Sequence, residues 1–451
     1  MSLKRLSRTW LIRTLAAAML SVFVASPPAA CADDRPPNVI LIIADDMAWS
    51  DYGFMGHPQI RTPRIDRLAR ESLVYRRGYV TSSLCSPSLA SILTGQYPHQ
   101  HRITSNDPPL PPGVTGAAAR RDPRFLAARK EMIAAFDEMP SLPRLLGSKG
   151  YLSFQSGKWW GENYRRGGFT HGMTHGDPAR GGRHGDAGLA IGRQGIKPIS
   201  LFVDLARAKD APFFVWYAPM MPHQPHNPPE RLLAHYRDKA PSEQVARYWA
   251  MCEWFDETVG EVLDLLDKQK LSDNTVVIFL ADNGWIQDPS ADRYAPRSKQ
   301  SQYEGGLRTP ILVRWPGKVT PRTSEVPVSE VDIAPTVLAA AGLRPGPELE
   351  GVSLLDDRAV AARPAVFGEI FTHNAVSIHD PASSLRFRWV IAGDWKLIVA
   401  ERRNEPNASI ELFDLAHDPQ ESRNLAAAEP KKLEELLAKL QARWPTGRGD
   451  H

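Results

Sequence analysis

Three cysteines in 451 residues are too few for a disulfide framework, so a hydrophobic core must hold this chain together. No apolar run after residue 32 is long enough to span a bilayer. An excess of one charge is missing as well. The formal net charge is +4, and Lys4, Arg5, Arg8 and Arg13 carry all of it, with no acid before residue 33. Beyond them the basic and acidic residues balance, which argues against nucleic acid as a partner. Histidine and cysteine do not cluster at the spacing of a zinc site. What remains is an ordinary globular composition, 42% hydrophobic and 24% charged, which excludes collagen-like and wholly disordered chains.

The first 32 residues have the layout of a secretory signal. A basic stretch to Arg13 precedes the apolar run Leu15–Ala25, and Ala30-Cys31-Ala32 fits a small-residue cleavage pattern. Pro28-Ala-Ala-Cys31 also allows a lipobox, with a lipid anchor on Cys31. Either reading makes the protein exported, periplasmic or secreted, with no transmembrane segment in the mature chain. Of the other cysteines, Cys252 sits in an amphipathic helical pattern and reads as a small buried hydrophobe.

Beyond the signal, short apolar runs alternate with amphipathic ones. Asn38–Ala44, Tyr151–Phe154, Pro212–Ala218 and Thr275–Leu280 are strand candidates, the first an unbroken apolar run of the kind buried on both faces. Pro63–Leu73 and Ser242–Lys270 have helical periodicity. This alternation predicts an α/β fold, a large and mostly parallel central sheet with helices on both faces. Proline and glycine mark Asn106–Gly116 and Phe169–Gly195 as long surface loops. After Gly342-Leu-Arg-Pro-Gly-Pro the pattern shifts to short strands, Phe387–Ile391 and Trp395–Val399, and a closing helix from Pro430 to Trp444. The expected division is a catalytic domain over 36–345 and a smaller α+β subdomain over 346–451, with a short antiparallel sheet.

Polar residues follow the best strands. Asn38–Ala44 runs into Asp45-Asp46, and Thr275–Leu280 into Ala281-Asp282-Asn283-Gly284. In a parallel sheet both pairs emerge at the carboxyl edge, where open α/β folds bind ligands. Either pair alone is also what caps a turn. Two pairs on matching strands supply three carboxylates and an amide, hard oxygen donors suited to Ca²⁺, with Mg²⁺ the less favoured ion. Cys85, in Ser83-Leu-Cys85-Ser-Pro-Ser, stands at the start of a predicted helix running to about Leu93, where a thiol pKa falls and anions are attracted. Lys158, His223 and Lys299 each follow or neighbour a strand.

Together these segments resemble the sulfatases of the alkaline-phosphatase superfamily. The resemblance runs from Asn38 to Glu411-Leu-Phe-Asp-Leu and Asp418-Pro-Gln-Glu-Ser-Arg-Asn-Leu, over nearly all of the chain after the signal. Asp45-Asp46 matches the first metal pair, Cys85-x-Pro87-Ser88 with Leu93-Thr94-Gly95 the nucleophile motif, Asp282-Asn283-Gly284 the second metal pair, and Lys299 with Tyr303-Glu-Gly-Gly306 the substrate-lysine segment. The resemblance implies that a formylglycine-generating enzyme oxidises Cys85 to formylglycine, whose hydrated aldehyde attacks sulfur and later expels the sulfate. It implies Ca²⁺ on Asp45, Asp46, Asp282 and Asn283, with Lys158, His223 and Lys299 at the sulfate and the leaving oxygen. The substrate it implies is a carbohydrate or aryl sulfate ester.

The chain departs from the family pattern twice. The position four after Cys85 is Leu89, where the family usually has Arg. Gly157-Lys-Trp-Trp places Trp160 where the family often has a His that bonds the nucleophile. His99, His101, His171 and His175 are the nearby candidates to replace it. Two other readings stay in view: a phosphodiesterase or phosphonate monoester hydrolase of the same superfamily, which would use the same metal and nucleophile, and a catalytically silent binder of sulfated glycans, in line with these departures.

Overall fold

The computed structural model describes residues 35–176 and 182–444, so the signal segment and Cys31 lie outside the described residues. Nine strands form the larger sheet: β1 Asn38–Ala44, β2 Leu73–Tyr79, β3 Leu152–Gly157, β4 His171–Gly172, β5 Phe213–Ala218, β6 Thr275–Ala281, β7 Arg308–Arg314, β8 Arg322–Ser324 and β9 Val328–Ser329. Their order is β4-β3-β5-β1-β6-β7-β2-β8, with β9 also on β2. The run from β4 to β6 is parallel throughout, and β7 is antiparallel to both β6 and β2.

Two apolar layers explain why β1 reads as an unbroken hydrophobic run. Val39, Leu41 and Ile43 face the layer holding the helices Cys85–Thr94, Leu142–Gly147 and Ile333–Ala340. Ile40, Ile42 and Ala44 face the opposite layer, with Pro63–Arg70, Lys197–Ala208 and Glu243–Lys268. A strand covered on both sides has no polar face to show. Truncating one of the fully buried Leu or Ile side chains of β1 to Ala would cost roughly 2–5 kcal/mol. The fold is the α/β architecture expected from the sequence.

Four further strands, β10 Val366–Phe371, β11 Leu385–Ala392, β12 Trp395–Ala400 and β13 Glu411–Asp414, make a purely antiparallel sheet. Its residues alternate. Phe387, Trp389 and Ile391 pack against Tyr79, Val80 and Leu307 of the large sheet's neighbourhood, while Val390, Leu397 and Leu412 pack under Leu436 and Leu440 of the closing helix Pro430–Arg443. Fully buried Lys396 ties the two sheets together, its ammonium 3.1 Å from Glu304 and 2.8 Å from Glu421.

The expected surface loop at Asn106–Gly116 is corrected at its start. Asn106 and Asp107 are 3% and 2% exposed, because this stretch is tucked against the end of β10: Asn106 N–H donates to the His373 carbonyl, and Ala375 N–H to that of Asp107. Among the described residues no helix is long and apolar enough to cross a membrane.

Candidate active site

Register builds the centre of the site. Ala44 of β1 pairs with Ala281 of β6, so Asp45 and Asp46 leave the sheet beside Asp282 and Asn283. Asp46 adopts a left-handed backbone, φ 66°, a conformation that Asp tolerates better than most residues. Its amide then donates to Asp282 Oδ1 at 3.1 Å. Gly284 allows the neighbouring chain to pass. A Cβ there would stand 2.1 Å from the Gly305 carbonyl oxygen, so the Tyr303-Glu-Gly-Gly segment closes directly over Asp282-Asn283.

The remaining groups arrive from adjacent strand ends. Lys158 follows β3, His223 follows β5, and Cys85 opens the helix after β2. Lys299 comes from the connection between β6 and β7. Gly157, at φ 81°, lets Lys158 turn inward, since a Cβ on it would stand 1.9 Å from the Ala218 carbonyl oxygen. Lys158 Nζ reaches Asp45 Oδ1 at 2.6 Å, with Asp282 Oδ2 at 3.7 Å. Lys299 Nζ donates to Asp46 Oδ1 at 2.5 Å and to Cys85 Sγ at 3.1 Å. His223 Nδ1 bonds the Gln224 carbonyl at 2.7 Å, which leaves Nε2 facing Asp46 Oδ2 at 3.5 Å.

Four oxygens are left over. Asp45 Oδ2, Asp46 Oδ2, Asp282 Oδ2 and Asn283 Oδ1 are buried without a hydrogen-bond partner among the described residues. Ligand oxygens of the three aspartates lie within 4.8 Å of one another. Burial and the neighbouring charge of Asp45 push the Asp282 carboxyl well above the usual carboxylate range. Buried oxygens that find no donor, in a cluster whose charges repel, are the donor set a hard divalent cation satisfies. The four predicted residues therefore fit Ca²⁺ or Mg²⁺.

Burial also governs Cys85, 1% exposed, and pushes its thiol up to about 11 although Lys158 and Lys299 oppose the shift. The expected lowering by a helix N-terminus is outweighed. An unmodified Cys85 is thus a neutral thiol near pH 7. Asn106 Oδ1 accepts the Ser86 amide at 2.8 Å and so steadies the turn that carries it.

Cys85, His223 and Lys299 share a cavity of about 360 Å³ with residues that no sequence motif marked. Asn106, Arg183, His184 and His373 line it, together with Trp160 and Trp285. The His184 ring packs edge-on to Trp160 with centroids 4.9 Å apart. The four histidines considered as replacements for the family His are engaged elsewhere. His99 bonds Glu369, His101 bonds Ser91, His171 bonds Thr170, and His175 packs on Tyr164. Leu89 is buried in the apolar layer, so no cation reaches the site from that position.

Residues 37–343 match the profile of the sulfatase family, and residues 296–447 match the one described as N-sulphoglucosamine sulphohydrolase, C-terminal. Human N-acetylgalactosamine-6-sulfatase is 30% identical over 361 residues, an alignment covering 71% of this chain and 65% of that enzyme. The chain thus spans just under two thirds of the length of that relative. The endo-4-O-sulfatase of Bacteroides thetaiotaomicron is 26% identical over 471 residues, with 89% of this chain and 90% of the relative covered. A structure solved with its substrate D-glucosamine-2-N,6-O-disulfate superposes with a TM-score of 0.70 at 19% identity, over 92% of this chain and all of the other.

Proposed function

The chain belongs to the sulfatase family, and from that premise we propose that it is a sulfuric ester hydrolase that removes sulfate from a sulfated saccharide. The observation that carries this reading is the set of four unpartnered oxygens beside Cys85. The relative named N-acetylgalactosamine-6-sulfatase, whose name gives an amino-sugar ester, supports the saccharide class.

In this reading Asp45, Asp46, Asp282 and Asn283 hold Ca²⁺, which when bound supplies a fixed positive charge to polarise the sulfate and the nucleophile. Cys85 is oxidised to formylglycine by a formylglycine-generating enzyme, replacing a thiol that burial keeps neutral with an oxygen nucleophile. Lys299, already 3.1 Å from Cys85 Sγ, binds a sulfate oxygen and offsets charge that builds during transfer. Lys158 does the same from the β3 side. His223 keeps its Nδ1 proton on the Gln224 carbonyl and turns Nε2 toward the site, so the proton it passes to the leaving sugar oxygen is one taken up at Nε2 in the imidazolium form. The division into domains 36–345 and 346–451, and export to periplasm or medium, belong to this same proposal.

Leu89 and Trp160 favour one second reading, a silent binder of sulfated glycans that keeps the anion pocket. One measurement separates the two: the mass of the tryptic peptide Gly78–Arg102 from the native host. Sulfur replaced by oxygen with two hydrogens lost is the expected result. A plain thiol overturns the formylglycine mechanism. Comparing release of sulfate and phosphate from matched aryl esters then tests the phosphoesterase alternative.

A further inference from the structure

The cavity carries more positive charge than one sulfate requires. Arg120, Arg183 and Arg293 line it in addition to Lys299, and among the described residues no acidic side chain does. Arg293 is paired with Asp288. Arg183 is held differently. Its Nε donates to Asp107 Oδ1 at 2.8 Å, its Nη2 to Asp107 Oδ2, and its Nη1 meets His184 Nε2. Its guanidinium lies 4.8 Å from the centroid of the Trp160 ring.

Asp107 is shared, however. Arg129, 7% exposed, also bonds Asp107 Oδ1, at 3.3 Å, and stacks on Trp160 at 5.6 Å. Two largely buried guanidinium groups therefore divide one carboxylate, so Asp107 does not neutralise both, and of the two it is Arg183 that faces the cavity. A guanidinium has five N–H donors. The contacts of Arg183 with described residues use three. The Trp160 indole N–H, in a side chain 3% exposed, has no hydrogen-bond partner among the described residues. Fixed orientation, spare donors and unbalanced charge together form a receptor for an anion.

We propose that Arg183, clamped by Asp107 against Trp160, recognises a second anionic group of the substrate, a carboxylate or another sulfate set apart from the sulfate that is cleaved. This rests on the sulfatase reading and narrows its substrate to saccharides with at least two negative charges. Trp160 gains a role through it, as the platform that fixes the guanidinium plane.

The test compares three sulfated disaccharides on wild type and on R183Q: a monosulfated one with a neutral neighbouring sugar, a monosulfated one with a uronic acid there, and a disulfated one with the second sulfate there. Wild type should prefer at least one charged form in kcat/KM, and R183Q should reduce that preference roughly ten- to a hundredfold, the worth of a charge-assisted hydrogen bond. R183K should restore part of it. The charged form preferred identifies the group read. A preference unchanged in R183Q, or an equal loss on all three sugars, overturns the proposal.

Should wild type hydrolyse none of them, the sulfatase reading fails, and calorimetric binding of the same sugars decides this one by the same comparison. Should R183Q not fold, the wild-type KM for the preferred charged sugar must rise more steeply with salt than that for the neutral one. Parallel salt profiles overturn the proposal.

Discussion

Lys299 Nζ stands 3.1 Å from Cys85 Sγ although 214 positions of chain separate the two residues. The same ammonium donates to Asp46 at 2.5 Å, so one side chain joins the nucleophile position to the oxygen cluster. K299M should reduce kcat for sulfate ester hydrolysis by roughly 10²–10³, the usual cost of losing one preorganised charge-stabilising donor. The Gly78–Arg102 peptide mass should be the same as in wild type. If it changes, the loss reflects failed modification of Cys85 and not lost charge stabilisation.

Removing divalent cations should lower Tm, and adding Ca²⁺ should raise it again. Four buried oxygens without donors are costly when empty and satisfied when a cation is bound. Ligand at a hundredfold its dissociation constant stabilises by about 2.7 kcal/mol, a shift that calorimetry resolves. D282A should abolish the Ca²⁺-dependent shift. A Tm indifferent to both chelator and Ca²⁺ contradicts the assignment.

Glu330 makes the pH dependence of stability testable. It is fully buried beneath Cys85's helix and accepts from Ser88 Oγ at 2.6 Å, Thr81 Oγ1 at 2.6 Å and the Thr81 amide at 2.7 Å. Burial outweighs these three bonds and pushes its carboxyl up to about 8. A folded-state pKa above the unfolded value means the native state holds the proton more tightly. The contribution is therefore fully present below the unfolded carboxylate pKa and is lost as pH rises through about 8. E330Q should flatten the fall in Tm between pH 5 and 8 relative to wild type. Parallel Tm profiles would rule this out.

Lys396 should be intolerant of neutralisation. Its ammonium is the shared partner of Glu304 and Glu421, both buried, at the junction of the two sheets. K396M would leave Glu421 without its cation and Glu304 with only Arg308, 3.8 Å away, at a cost of about 3–5 kcal/mol. Denaturant melts should show that loss. A change within measurement error would mean the carboxylates take up protons at little cost.

β1, β5 and β6 were legible in the sequence because strands buried on both faces leave unbroken apolar runs, and β3, Leu152-Ser-Phe-Gln-Ser-Gly, showed only through its apolar start. β2 was not. Leu73-Val-Tyr-Arg-Arg-Gly-Tyr carries two arginines mid-strand, and its register with β7 shifts between Tyr75 and Gly78. Arg77 is nonetheless 8% exposed, because it bonds Asp394, in the turn between β11 and β12, at 2.6 Å. No local pattern announces a partner more than 300 residues away. Arg183, His184 and His373 escaped for the same reason, since loop residues with no periodicity acquire meaning only from what the fold sets beside them.

Strand chemistry and residue order by themselves determined the α/β architecture and the polar residues at the carboxyl edge, since burial on two faces and the turn after a strand are both local demands on composition. Tertiary structure alone decided that Asp45, Asp46, Asp282 and Asn283 leave one oxygen each without a donor among the described residues, that Cys85 is buried enough to stay a neutral thiol, and that Asp107 must be shared by Arg129 and Arg183. Those properties depend on distance and on exclusion of water, which side chains far apart in the chain impose on one another only after the sheet has formed.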